Sequence, residues 1–204
     1  MKTSLLTPLL GGLLAACLIV PAVTARSQEK ANAERELAAA LEKAKQYTEP
    51  GPNHKVLERF VGDWNTELRI FSGDQAGPAT QGSASARWLM PGRWIQLDLD
   101  GTVFGKPMKS SGILGYDNFK QSFVMTVVHS TDTAMLRAEG DLSRDRRTLT
   151  AFGTMDEYLT GEHDKMAKYI YRFVSPDEIL FEVHDLVIGE PNTRVIEIAY
   201  RRKK

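Results

Sequence analysis

Cysteine is almost absent from this chain, which has a single one, Cys17, among 204 residues. Cys17 lies in an apolar N-terminal run, and cleavage of that run after Ala25 would leave a mature protein without a thiol. That absence excludes disulfides, thiolate metal sites and a cysteine nucleophile from the folded part. Its stability must then come from packing.

Net charge is also absent, because 26 basic side chains balance 26 acidic ones. A general binder of nucleic acid or of anionic membranes needs a basic surplus, so this balance excludes both classes. A hydrophobic content of 42% is ordinary for a globular protein, and the sequence contains no internal repeat. The length fits one globular domain with an additional segment.

Residues 1–25 have the organisation of a secretory signal peptide. Lys2 precedes the apolar run LLTPLLGGLLAACLIV, and small residues follow at Val23 and Ala25. The run is too short for a good transmembrane anchor, so we expect no integral membrane span after processing. The sequence predicts a secreted or periplasmic protein. The alternative is a lipoprotein, because LAAC, which ends at Cys17, also matches a lipobox.

Residues 26–50 are predicted to form a helical spacer. Ala33, Leu37, Leu41 and Ala44 recur at steps of three and four residues, which is the period of a helix face. The prolines in EPGPN, residues 49–53, end this helix, because proline cannot continue it. The remaining residues, 51–204, are predicted to form one domain.

Within that domain, a short helical run, HKVLERFVG, is followed by a pattern of period two. Ten segments alternate in this way: 63–71, 80–90, 93–104, 108–116, 122–129, 134–140, 148–153, 166–174, 178–185 and 193–202. Turn sequences such as MPGR, SPDE and GEPN separate them, and no helix is long enough to connect parallel neighbours. We therefore predict an all-β fold, an antiparallel barrel of about ten strands, because closure removes exposed edges.

The first strand begins with Gly-Asp-Trp, residues 62–64. A Gly-x-Trp at this place is typical of lipocalin-like (calycin) barrels, in which the Trp lies across one end and an Arg of the last strand covers it. Arg202 shares a strand face with Ile198 and Tyr200, whereas Arg201 faces the other way. We therefore take Gly62, Trp64 and Arg202 as the structural signature, with Arg202 over Trp64.

Five motifs extend this similarity over most of the chain: GPNHK at 51–55, GDW at 62–64, PGRW at 91–94, GYDN at 115–118 and EIAYRRK at 197–203. With them the chain resembles the bacterial family catalogued as domain of unknown function 1579. The resemblance implies a calycin-like barrel and no assigned activity. Where the pattern of that family has Trp-x-Asp on a central strand, this chain has VVH, residues 127–129.

Sequence motifs for catalysis are missing. There is no G-x-S-x-G elbow and no phosphate-binding loop, and no two histidines have the i, i+4 spacing of a metal site. We therefore predict no catalytic residue, metal or cofactor. The alternative is an enzyme, either haem-dependent or of the acid–base type, that uses His129 or His184, because both lie in predicted strands.

A barrel of ten strands is wide enough to enclose a cavity. The candidate ligand-binding residues are Trp88, Arg93, Trp94, Tyr116, His129, Tyr171 and Glu197. Arg93 is expected to hold an acidic group of the ligand. The leading hypothesis is non-catalytic binding of a small, largely apolar molecule in the lumen. An adaptor that binds another envelope protein through its helix or a barrel edge is a further alternative.

Overall fold

A computed structural model of the chain describes residues 19–157, 160–186 and 193–204, with side chains from Arg26 onward. Residues 1–18, which hold most of the predicted signal peptide as well as Cys17, lie outside the described residues. The chain separates into two compact units, residues 1–48 and 49–204. No helix in the described ranges is long and apolar enough to cross a membrane.

The first unit contains helix α1 (Ile19–Thr48), which confirms the predicted N-terminal helix. Its larger apolar side chains are exposed, with Leu37 at 60% and Leu41 at 61% relative accessibility. The helix ends just before Pro50 and Pro52, whose rings are incompatible with a helix interior.

The second unit is an antiparallel β-barrel, as predicted. Its strands are β1 (Gly62–Ser72), β2 (Gln75–Ala76), β3 (Thr80–Met90), β4 (Trp94–Val103), β5 (Lys106–Asp117), β6 (Ser122–His129), β7 (Met135–Leu142), β8 (Thr148–Glu157), β9 (Glu162–Ser175), β10 (Glu178–Asp185) and β11 (Arg194–Arg202). From β3 to β11 each strand pairs with the next, β1 pairs with both β3 and β11, and the barrel closes with ten strands. The two-residue β2 pairs only with the end of β1.

Two details of the strands were not predicted. Strand β2 is the return arm of a tight turn, and Gly73 takes a left-handed conformation there with φ of 57°. Strands β8 and β9 extend beyond the apolar alternation into polar sequence, as far as the pair Glu157 and Glu162. Backbone hydrogen bonds hold such a hairpin whatever its side chains, so the hydrophobic pattern ends before the strands do.

One end of the barrel is covered by a short 3₁₀ helix, His54–Arg59, which we call the plug helix. Val56, Leu57 and, one residue after the helix, Phe60 are buried against the barrel core. The indole N–H of Trp64 donates to the Phe60 carbonyl at 2.8 Å, which fixes the end of the plug to the first strand. We refer to this end as the closed end and to the opposite end as the far end.

Arg202 joins the first strand, the last strand and the plug. It pairs with Trp64 across β1 and β11, and its guanidinium carbon lies 4.1 Å from the centroid of the Trp64 ring, the contact expected from the sequence. Its terminal nitrogens also donate to the carbonyls of Val61, at 2.7 Å, and Arg59, at 3.1 Å. Gly62 has φ of 139°, and a Cβ there would collide with Arg202. The glycine of Gly-Asp-Trp therefore makes room for the arginine.

His54 holds the start of the plug helix from a buried position. Its Nδ1 accepts the Gly51 N–H at 3.0 Å, and its ring packs edge-on against Tyr116 with centroids 5.5 Å apart. Burial lowers the pKa of His54, a backbone hydrogen bond with Tyr116 opposes this effect, and the charge of Arg93 adds to it. The neutral imidazole is therefore the form that fits the folded state.

We expect Arg202→Ala to lower the free energy of unfolding by about 3 kcal/mol, because it removes a cation–π contact and charged hydrogen bonds to two carbonyls. Urea unfolding followed by tryptophan fluorescence measures the change. Arg201→Ala is the matched control: Arg201 is exposed, its ion-pair distances to Glu178 and Glu67 are 3.7 and 3.9 Å, and we expect a loss below about 1 kcal/mol. Equal losses in the two variants would contradict this assignment.

The pKa of His54 also predicts a pH dependence of stability. Since the folded pKa lies below the unfolded value of about 6.5, the unfolded chain binds more protons, and stability falls as pH drops through the folded pKa. We expect the unfolding free energy to decline less steeply between pH 7.5 and 5 in His54→Gln than in the wild type. The control is His163→Gln, since that side chain is exposed; a slope unchanged in His54→Gln would refute the prediction.

Candidate functional site

The candidate site is the lumen, defined here by the side chains that alternate toward the inside of the barrel. The pairing registers identify this face, since residues opposite each other on neighbouring strands lie on the same side of a sheet. Trp64 is opposite Ala84 and Arg202, and Leu114 is opposite Ile95. All of these but Arg202 are buried, so this face is the interior one.

Aromatic rings fill the lumen next to the closed end. The Tyr171 ring packs against Phe60 from the plug side, with centroids 5.1 Å apart, and against Phe181 on the neighbouring strand at 4.4 Å. Trp64 and Tyr200 meet edge to face at 6.4 Å. These contacts give the lumen a rigid aromatic base.

Phenol hydroxyls add polar groups to this apolar interior. Tyr169, Tyr171 and Tyr200 face the lumen, and burial raises the pKa of each hydroxyl far above its usual value. Tyr169 donates to the Thr154 carbonyl at 3.3 Å. Because the three phenols keep their protons at any physiological pH, they are polar groups without charge, and the proton of Tyr169 is already donated to Thr154.

Several apolar side chains that face the lumen are only partly buried. Leu97 and Phe181 lie midway along β4 and β10, and they retain solvent exposure although both neighbouring strands cover their backbone. The same holds for other lumen-facing residues toward the far end: Ile70, Val127, Leu136, Met155 and Ile196. These side chains keep part of their accessible surface although they face inward, which indicates that the lumen is not completely filled.

Four of the seven residues predicted to bind a ligand face the lumen, but they do not form one cluster. Trp88, Tyr116 and Tyr171 lie near the closed end, where Tyr116 also contacts His54 and Phe123. His129 lies near the far end, opposite Ser110. A ligand would have to extend along the barrel to contact both groups.

The other three do not face the lumen, where Trp94 and Glu197 were expected, and Arg93 was expected to hold an acidic group of the ligand. Trp94 lies on the outer face of β4 and covers Gly115, where a Cβ would collide with its ring. Glu197 lies on the outer face of β11, between Arg69 and Glu182. Arg93 is exposed in the turn between β3 and β4. The strand alternation also turns His184 outward, because its neighbour Val183 faces in.

Glu197 belongs to a charged network on the outer face where β9, β10, β11 and β1 run side by side. Its carboxylate binds Arg194 at 2.6 Å and lies 3.8 Å from Arg69. Glu182, which is buried, is bound by Arg172 at 2.9 Å and approached by Arg194 at 3.5 Å. The network therefore links the last strands to the first and has a structural role, not a role in the lumen.

His129 is the histidine that could act inside the lumen. Burial lowers its pKa, and the nearby Asp132 opposes that shift. The imidazole is therefore uncharged at neutral pH, and its free ring nitrogen can accept a hydrogen bond or coordinate a metal. Among the described residues, no three His, Cys, Asp or Glu side chains are grouped to hold a metal ion.

Sequence reasoning missed Leu97 and Leu136, apolar residues that face the lumen. The alternation contains their signal, since each lies on the same strand face as a buried residue. Alternation alone does not distinguish a leucine that faces a ligand from one that only packs the core.

Comparisons with known proteins agree with this architecture. The model of a family described as Protein of unknown function (DUF1579) matches residues 49–202. No curated protein matches the chain significantly in sequence.

One solved structure shows the same fold at low sequence identity, and two others are more distantly similar. The crystal structure of Rv2717c from M. tuberculosis matches with a TM-score of 0.54 and 13% identity, over 76% of this chain and 99% of that one. The S-type phycobiliprotein lyase CPES from Guillardia theta has a TM-score of 0.48 and 13% identity, over 74% and 92% of the two chains. A de novo designed fluorescence-activating β-barrel has a TM-score of 0.39 and 14% identity, over 72% and 97%.

If Glu197 is structural, Glu197→Gln should lower the unfolding free energy by about 1 kcal/mol, because Arg194 and Arg69 lose a partly buried partner. Glu139→Gln, which alters an exposed pair with Lys120, is the control and should cost less than about 0.5 kcal/mol. Chemical denaturation measures both. If Glu197→Gln left stability unchanged but weakened binding of a lumen ligand, Glu197 would instead have a role in ligand binding.

Proposed function

Because the chain belongs to the DUF1579 family, whose description assigns no function, we propose a function from the barrel itself. The protein binds a small, largely apolar molecule in the lumen and does not transform it. The signal peptide predicted for residues 1–25 supports a location outside the cytoplasm for this binding, in the periplasm or the medium.

The observation that carries the proposal is the partial exposure of apolar side chains inside the barrel. Leu97 and Phe181 face the lumen midway along their strands and are still reached by solvent. When an apolar ligand covers such a surface and excludes water from it, the free energy falls by about 25 cal/mol for each Å² of apolar area buried. The uncharged phenols of Tyr169 and Tyr171 supply the few polar groups that orient such a ligand.

One observation favours a second candidate, a ligand bound through an imidazole. Of the two histidines proposed from the sequence, His129 faces the lumen and His184 does not. A haem or another chromophore held by His129 would absorb visible light. The adaptor hypothesis has its own support in the exposed Leu37 and Leu41 of α1.

We expect the chain, expressed with its own N-terminus in a bacterial host and never refolded, to carry a removable ligand. Native mass spectrometry before and after organic extraction, with an absorption spectrum of the same sample, detects it. A mass that falls on extraction without a visible chromophore is the expected result. A Soret band would favour the imidazole-bound cofactor, and a clean unliganded mass in colourless protein would favour the adaptor.

Two neighbouring valines provide the matched variants for that experiment. Val127 faces the lumen, whereas Val128 is 41% exposed on the outer face. Val127→Trp should weaken binding of the neutral probe N-phenyl-1-naphthylamine at least about tenfold, because an indole occupies the space, while Val128→Trp should leave binding unchanged. Thermal unfolding checks that both variants fold. If Val127→Trp does not, Leu136→Trp with Met135→Trp as its control replaces the pair; equal binding in either pair contradicts a lumen site.

A further inference from the structure

A cavity of about 270 Å³ lies at the closed end of the barrel. Asn53, just before the plug helix, forms one side, and the β7–β8 turn from Asp141 to Arg146 forms the other. Tyr116 and Phe123 line it from the barrel. The volume corresponds to about nine water molecules, enough for a ligand with a single ring.

Arg146, on the cavity wall, is hydrogen-bonded to neutral groups. It donates to the Pro52 carbonyl at 2.9 Å and approaches the Asn53 amide oxygen at 3.4 Å. Within the described part of the chain, Arg146 forms no ion pair. Its charge is therefore available to an anion that enters the cavity.

Arg144 supplies a guanidinium that no protein group occupies. It lines the cavity from the β7–β8 turn, and the described residues provide it with no hydrogen bond, ion pair or ring contact. A guanidinium has five N–H donors in a planar fork, a geometry that matches the two oxygens of a carboxylate. Asp141 is the only acid among the residues that line the cavity, and its negative charge would repel the carboxylate of a ligand toward Arg144.

The turn that carries these arginines is held in an unusual conformation. Arg146 has φ of 59°, a left-handed backbone that glycine or asparagine adopts at lower cost. Hydrogen bonds maintain it, from the Arg146 N–H to the Ser143 carbonyl at 2.8 Å and from Arg59 to the Arg146 carbonyl. The guanidinium of Arg146 is thereby fixed beside the cavity before any ligand arrives, which reduces the entropic cost of binding.

The barrel side of the cavity is aromatic. The rings of Tyr116 and Phe123 meet edge to face, at 70° with centroids 5.0 Å apart. Phe123 is buried, so Tyr116 is the ring that keeps exposed surface toward the cavity. A ligand that fits has an anionic group for Arg144 and an apolar ring that packs against Tyr116. We infer that this cavity is a second binding site, which takes a small aromatic carboxylate.

Titration of the full-length protein with benzoate, followed by ¹H–¹⁵N NMR, tests this inference. We expect saturable shifts of the amides of residues 141–147, with a Kd on the order of 1 mM, as befits a ligand of this size. Benzamide lacks the charge and acetate lacks the ring, so each should bind at least about fivefold more weakly. Added salt should weaken the benzoate titration.

Arg144→Gln should weaken benzoate binding at least about fivefold without a change in stability, because Arg144 contacts no described group. Arg137→Gln is the matched control, since Arg137 is exposed on the outer face of β7 and its contact is with the Met135 sulfur at 3.8 Å. Equal affinities in the two variants would overturn the inference. So would an absence of saturable shifts, shifts at lumen-facing residues instead, or equal binding of benzamide.

Discussion

The barrel closes where β1 pairs with β11, and the stacking of Arg202 on Trp64 connects that pairing to the plug helix. The guanidinium stacks on the indole, and its terminal N–H groups donate to the carbonyls of Val61 and Arg59, in the segment that leads into β1. A lysine could supply the charge but not the planar fork that does both. Gly62 provides the space this arrangement needs. The lumen keeps its shape because this contact holds the first strand, the last strand and the plug together.

The two faces of the barrel wall carry different groups. The inner face carries the partly exposed apolar side chains and the phenols, together with the Trp64–Arg202 contact at the closed end. The outer face between β9 and β1 carries the network of Glu182, Glu197 and Arg194, which holds neighbouring strands together.

The motifs by which the chain resembles its family meet at the closed end. His54 of GPNHK packs against Tyr116 of GYDN, Trp94 of PGRW covers Gly115, and Trp64 of GDW lies under Arg202 of the last strand. These motifs thus describe how the barrel is plugged. Val127 and His129, by contrast, belong to none of these motifs, and both face the lumen. The residues that contact a ligand should accordingly be sought in the lumen and not among these motifs.

The sequence by itself determined the ten barrel strands and their antiparallel order, because side chains alternate with period two and turns are marked by Gly and Pro. The contact of Arg202 with Trp64 was expected from the resemblance to lipocalin-like barrels, and alternation selected Arg202 over Arg201. It did not determine which face of each strand lies inside. Trp94 and Ile95 are both apolar, and only the register against Gly115 and Leu114 turns the tryptophan outward. Glu197 lies between apolar neighbours, and its arginine partners come from other strands. The closed-end cavity likewise requires the plug and the β7–β8 turn to meet, a long-range contact that tertiary packing alone decides.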